Sequence, residues 1–212
     1  MSRAGGRNKP YYIRDLTQMR AIISPARDEI LDAVAANGPC TVMWLGGFLG
    51  RKPDSLYHHV RVLRRVGLLL ETLSTNSQGR ATAVYDVPGR PMFLRYELGD
   101  PRKVRAVTAY AGSALRIAHR RFAQGFKSDY AVARGPARNL WAARWRGWLT
   151  PAELRKANVL LTRLVALLRE SGSRGRGEAR LYDLTYVLSP ASTPTGGTPS
   201  RRKKQVRRNQ RP

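Results

Sequence analysis

The stretch Leu56-Tyr57-His58-His59-Val60-Arg61-Val62-Leu63-Arg64-Arg65-Val66-Gly67-Leu68 constrains this 212-residue chain more than any other, because it fits a helix with one narrow buried stripe and a glycine stop. On a 3.6-residue period Leu56, Val60, Leu63 and Val66 fall on one side, while Tyr57, His58, Arg61, Arg64 and Arg65 are left to the other faces. A stripe this narrow suits a small, tightly packed domain. Upstream, Gly50-Arg51-Lys52-Pro53-Asp54-Ser55 supplies a turn, and Pro53 fits the first helical position, where no backbone N–H is needed. The spacing predicts a helix starting near Lys52 or Pro53 and ending near Val66.

Before that turn, Thr41-Val42-Met43-Trp44-Leu45-Gly46-Gly47-Phe48-Leu49 predicts a shorter helix, with Thr41 as N-cap and Val42, Leu45 and Leu49 spaced for burial. Two short helices joined by a glycine turn form the helix-turn-helix signature. In that arrangement the start and outward face of the second helix meet base edges in the major groove, which selects Ser55, Tyr57, His58 and Arg61. Arg61 suits guanine, whose O6 and N7 match the guanidinium fork. Arg51, Lys52, Arg64 and Arg65 are expected on backbone phosphates, and His59 at the edge of the packed face.

Beyond Gly67, Leu68 to Leu73 is apolar and β-competent, Ser74 to Gly79 is turn-forming, and Ala81 to Val87 alternates. This predicts a hairpin over about 68–87 with Arg80 near its tip, placed to reach the minor groove or its flanking phosphates.

From about Leu16 to Val87 these features resemble the winged helix-turn-helix of ArsR-like transcriptional regulators. Ser24-Pro25-Ala26-Arg27 opens the second helix as in such regulators, Ser55 to Val60 resembles their recognition-helix pattern, and Val66-Gly67-Leu68-Leu69 resembles the exit into the wing. Two features depart from the family: the pair Gly46-Gly47 replaces better helix formers, at roughly 1 kcal/mol per glycine, and His58 stands where an aromatic or other polar residue is more usual. The helix holding the two glycines is therefore expected to be short or mobile.

Composition agrees with a polyanionic partner. Lys plus Arg number 39 against 14 Asp plus Glu, a formal net charge of +25. Residues 15–90 hold nine basic and seven acidic side chains, but within them 51–80 carry six basic and two acidic. Residues 91–170 hold sixteen basic and five acidic, and the last twelve hold seven basic and none acidic. No apolar run is long enough for a membrane helix, and the basic N-terminus has no apolar stretch behind it, so a cytoplasmic protein without membrane association is expected. The single Cys40 excludes an internal disulfide and the paired thiolates of metal-sensing relatives, so neither a metal nor another cofactor is expected.

Pro88-Gly89-Arg90-Pro91 breaks the chain after the hairpin. The expected organisation is a flexible basic arm over 1–14, a winged helix-turn-helix over 15–90, a helical dimerisation or sensing region over 91–190, and a disordered basic tail over 191–212. The class is α+β, mainly α with a small β-wing. In the helical region, Val104, Val107, Ala111, Ala114, Ala118 and Phe122 predict one long helix from Pro101 to about Gly125, with Arg105, Arg116 and Arg120 opposite. Trp141, Trp145 and Trp148 fall on one helical face, read first as core. Thr150-Pro151-Ala152-Glu153 is a capping box, followed by an apolar seam of Leu154, Ala157, Leu161, Leu164 and Leu168 that Leu160 and Leu167 widen. Ala179 to Leu188 alternates like a closing strand. In some ArsR-like proteins similar helices are thought to support dimerisation or sensing, which implies a homodimer and leaves room for a small-molecule effector. The terminal stretch from Ala191, rich in Ser, Thr, Pro and Gly and then in Arg and Lys, cannot bury a core and would add non-specific affinity for DNA through counterion release.

Catalysis finds no footing. Asp100, Asp129, Glu153 and Asp183 are far apart in sequence, and no nucleophile–base pair or phosphate-cradling glycine loop has a workable spacing. The expected function is sequence-specific binding of double-stranded DNA by a transcriptional regulator. A nucleoid-type protein with little sequence preference is the alternative, and a protein-interaction module a third.

Overall fold

The computed structural model describes residues 9–75, 79–170 and 179–191. Residues 1–8, 76–78, 171–178 and everything from 192 onward, including the basic tail expected to be disordered, lie outside the described residues.

The chain opens with β1 (Tyr11–Ile13), so the arm expected to stay flexible as far as residue 14 already carries a strand. It is held because β4 (Met92–Leu94), some 80 residues later, pairs with it in parallel, Tyr11 opposite Met92 and Ile13 opposite Leu94. A side chain at Gly89 would collide with the Lys9 carbonyl, so glycine is what lets the strands close.

Helices begin where the sequence can cap them. The Asp15 carboxylate accepts from the N–H groups of Thr17 and Gln18 and opens α1 (Leu16–Ile22). Pro25 opens α2 (Pro25–Asn37). Thr41 Oγ1 accepts from the Trp44 N–H at 3.1 Å and opens α3 (Val42–Leu49), and Pro53 sits at the start of α4 (Pro53–Arg65). Both starts agree with the sequence reading. Gly50 ends α3 in the left-handed region at φ +62°, which glycine occupies without strain. At eight residues α3 is short, as expected.

The core lies among α1–α4. Met19, Ile30, Val34, Leu45, Leu56 and Leu63 are each at most 1% exposed, while Val66, the last residue of the expected stripe, is half-buried. β2 (Leu70–Thr75) and β3 (Ala81–Asp86) form the expected antiparallel hairpin, Leu70 opposite Asp86 and Thr75 opposite Ala81. Cys40 and Tyr85 exchange backbone hydrogen bonds of 2.9 and 2.8 Å, tying the hairpin's base to the loop before α3.

α5 (Pro101–Gly125) runs about 37 Å at 1.5 Å per residue and starts, as expected, at Pro101, where the Asp100 carboxylate accepts from the Arg102 N–H. It packs against α1 and α2. Its packed side is rotated from the expected stripe: Ala106 and Ser113 are buried and Tyr110 half-buried, whereas Val104 is 40% exposed. Small side chains at 106 and 113 let the helices approach closely, which a hydrophobicity pattern cannot show. Arg105, Arg116 and Arg120 are exposed.

The capping box is present: Glu153 accepts from the Thr150 N–H at 2.8 Å, and Thr150 Oγ1 accepts from the Glu153 N–H at 3.2 Å, opening α6 (Pro151–Glu170). Two expectations fail in this half. Residues 139–150 are irregular and Trp141, Trp145 and Trp148 are 67%, 91% and 75% exposed, so they neither share a helical face nor enter a core. Residues 179–191 form no strand despite their alternation, for no strand among the described residues pairs with their backbone. Among the described residues the fold is a mixed one of six helices and four short strands in two two-stranded sheets. No helix among them is long and apolar enough to cross a membrane.

Candidate functional site

α4 divides its side chains sharply. Leu56, Val60 and Leu63 are at most 2% exposed, while Ser55, Tyr57, His58, Arg61, Arg64 and Arg65 all face solvent, as does Lys52 just before the helix. At 100° per residue His58, Arg61 and Arg65 point most directly away from the core. Six of the eight groove residues named from sequence thus lie on one exposed helix, joined at its start by Lys52 and Arg51. Arg80, on the ascending side of the hairpin, is exposed too.

Tyr57, Arg61 and Arg64 occupy the flank toward the hairpin. With Val60, Glu71 and Tyr85 they line a cleft of about 160 Å³ between helix and sheet. Arg64 Nη1 donates to Glu71 Oε2, so this guanidinium braces α4 against β2. Burial, reinforced by the Glu71 carboxylate, pushes the Tyr85 phenol above its ordinary value and keeps it neutral. Its Oη–H remains a donor.

Arg51 is half-buried and held differently. Its guanidinium donates to Glu29 Oε2 on α2, and Arg121 Nη2 of α5 donates to Glu29 Oε1 at 3.2 Å. One carboxylate therefore joins the turn before α4 to the distal part of α5. With Leu49, Arg120 and Gln124 these three residues surround a cleft of about 220 Å³. Sequence spacing could not reveal this, since Glu29 is 22 residues from Arg51 and 92 from Arg121.

His59 sits at the rim of the packed face, as its place on the helix suggested. It is half-buried, and its Nδ1 has no hydrogen-bond partner. Burial lowers its pKa, and the cations of Arg27 and Arg51 lower it further. It stays neutral while the exposed His58 beside it, with ring centroids 5.6 Å apart, meets solvent.

Arg90 was hidden in the Pro-Gly cluster after the hairpin. Its guanidinium donates to the carbonyls of Ala35 and Val34 at 2.8 and 2.9 Å and pairs with the buried Asp86. A cation at the C-terminal end of α2 complements the helix dipole there. Arg90 thereby fixes the hairpin's base against the helix that α4 packs on.

Inside α2, Asp28 is 5% exposed, and burial together with Asp32 and Glu29 pushes its carboxyl up to about 8. Burial and the carboxylates of Asp28 and Asp32 likewise push the Tyr110 phenol upward. Among the described residues no three His, Cys, Asp or Glu side chains gather within reach of one metal ion, and Cys40 is buried with its thiol donating to the Gly38 carbonyl at 2.9 Å. Compared with protein-family models and with curated proteins, the chain matches none of either.

Proposed function

We propose that this chain is a transcriptional regulator that binds double-stranded DNA through a winged helix-turn-helix. α3 and α4 are the helix-turn-helix, α4 enters the major groove, and the β2–β3 hairpin is the wing. The observation that carries this reading is the split of α4: its apolar stripe is sealed at most 2% exposed while a continuous outer face of Ser55, Tyr57, His58, Arg61 and Arg65 is open to solvent. A packed surface helix needs no such concentration of guanidinium and imidazole groups. Base edges and phosphates of a groove satisfy both.

In this reading Arg61 and His58 read bases, with Ser55 and Tyr57 nearer the start of the helix. Lys52 and Arg65 hold phosphates. Arg51 and Arg64, tied to Glu29 and Glu71, set the angle of the helix and contact phosphates with whatever donors remain. α6 pairs with α6 of a second copy through Leu154, Leu161, Leu164 and their neighbours, giving a homodimer suited to a two-fold symmetric site. The helical half leaves room for an effector of unknown chemistry.

Selection of bound sequences from a random duplex pool, at near-physiological salt and with excess competitor, tests the reading. Enrichment of a two-fold symmetric motif, preferred by roughly 10³-fold over random DNA, is the expected result. Salt-sensitive binding with no enriched motif would replace the regulator by a nucleoid-type protein that coats DNA.

A further inference from the structure

Three tryptophans within eight residues stand 67%, 91% and 75% exposed on a backbone that is neither helix nor strand. An indole is among the largest apolar groups a chain can bury, and leaving three of them in water forgoes that gain. The surrounding residues are as specific as the rings. Arg144 and Arg146 flank Trp145 directly, Arg138 precedes Trp141, and no acidic residue lies between Asp129 and Glu153. The Arg138 guanidinium sits 3.8 Å from the centre of the Trp141 ring, so that ring already stacks with a flat cation on one side.

We propose that residues 138–148 form a stacking platform for single-stranded nucleic acid, with the rings of Trp141, Trp145 and Trp148 taking bases and Arg144 and Arg146 taking the phosphates between them. Aromatic faces alternating with cations match a strand in which flat bases alternate with anionic phosphates. A duplex cannot use the rings, because its base faces are already covered by their neighbours. A bilayer fits poorly, since insertion requires apolar and charged side chains on opposite faces, and here cations stand on both sides of the most exposed ring. The platform is independent of α4: it belongs to a different segment and reads a different form of nucleic acid.

The test uses the full chain and an oligothymidylate about a dozen nucleotides long, beside a duplex of the same length. Intrinsic tryptophan emission should be quenched by the oligothymidylate without a blue shift. Trp145→Ala with Trp148→Ala should weaken single-strand affinity by about tenfold or more and leave duplex affinity within about twofold, since the rings stack only on exposed bases. Because both rings are exposed, the double variant should keep the wild-type circular dichroism, and the corresponding Phe pair should restore part of the binding. Equal single-strand affinity in variant and wild type overturns the proposal. So does a blue shift with phosphatidylserine vesicles but no quenching by the oligonucleotide, which assigns the rings to lipid. Rings shielded from acrylamide in the free protein also overturn it and assign them to a second copy. Arg61→Ala, by contrast, should weaken duplex binding and leave the quenching intact.

Discussion

A Cβ at Gly46 would stand 2.9 Å from the carbonyl oxygen of Arg51 and 3.0 Å from Cγ of Pro53, so α3 can approach the start of α4 only because residue 46 has no side chain. Gly47, its neighbour, faces open space. The two glycines should therefore respond oppositely to alanine. Gly47→Ala should raise the melting temperature, toward the roughly 1 kcal/mol that alanine gains over glycine in a helix. Gly46→Ala should lower it, because overpacking against backbone costs about 1 to 3 kcal/mol and outweighs the same gain. Thermal unfolding of the two variants measures both signs, and a stabilised Gly46→Ala would show that the turn yields.

Arg61→Ala should relax base preference at one position of the selected site and cost roughly 1 to 3 kcal/mol there. Competition binding against single-base variants of the site measures this. Uniform weakening on every sequence would move Arg61 to a phosphate.

Asp28 gives a pH dependence of definite sign. Its folded pKa, pushed up to about 8 by burial and by the carboxylates of Asp32 and Glu29, lies above the ordinary 3.8, so folding takes up a proton between those values. Its contribution is fully present below the lower value and is lost as pH rises through the upper one. Asp28→Asn removes that titration, and its advantage over the wild type in denaturant titrations should grow as pH rises across the window. A constant difference would mean that Asp28 is ionised in the folded protein.

Leu164, 43% exposed on α6, is the point at which to break the proposed dimer. Leu164→Asp should yield the mass of one chain in sedimentation at micromolar concentration, where the wild type gives two, with helicity unchanged. A wild type that sediments as one chain removes α6 as a pairing surface.

Much of the N-terminal half was legible because local chemistry and packing agree there. Thr41, Pro53 and Gly67 punctuate α3 and α4 where backbone needs require them, and the stripe of Leu56, Val60 and Leu63 has only one way to be buried. The ion pairs that steady α4 were not legible, since Glu29 and Glu71 carry no local mark of partnership with Arg51 and Arg64. β1 escaped for a related reason: a three-residue strand owes its existence to a partner far along the chain. In the C-terminal half the tryptophan spacing and the alternation over 179–188 each supply a periodicity, but the tryptophans stay exposed and no strand among the described residues pairs with 179–188. Periodicity says which face could be buried, and only tertiary contact decides whether it is.

The pairing of β1 with β4 has a mechanical side. Tension that draws the N-terminal end of β1 away from the C-terminal end of β4 runs along both parallel strands in opposite senses, loading the hydrogen bonds from Tyr11 to Pro91 and from Arg95 to Ile13 in shear. Bonds sheared together resist better than bonds unzipped singly. The four helices and the hairpin enclosed between those strands are thus shielded from a pull on either end of the chain until the clasp gives way.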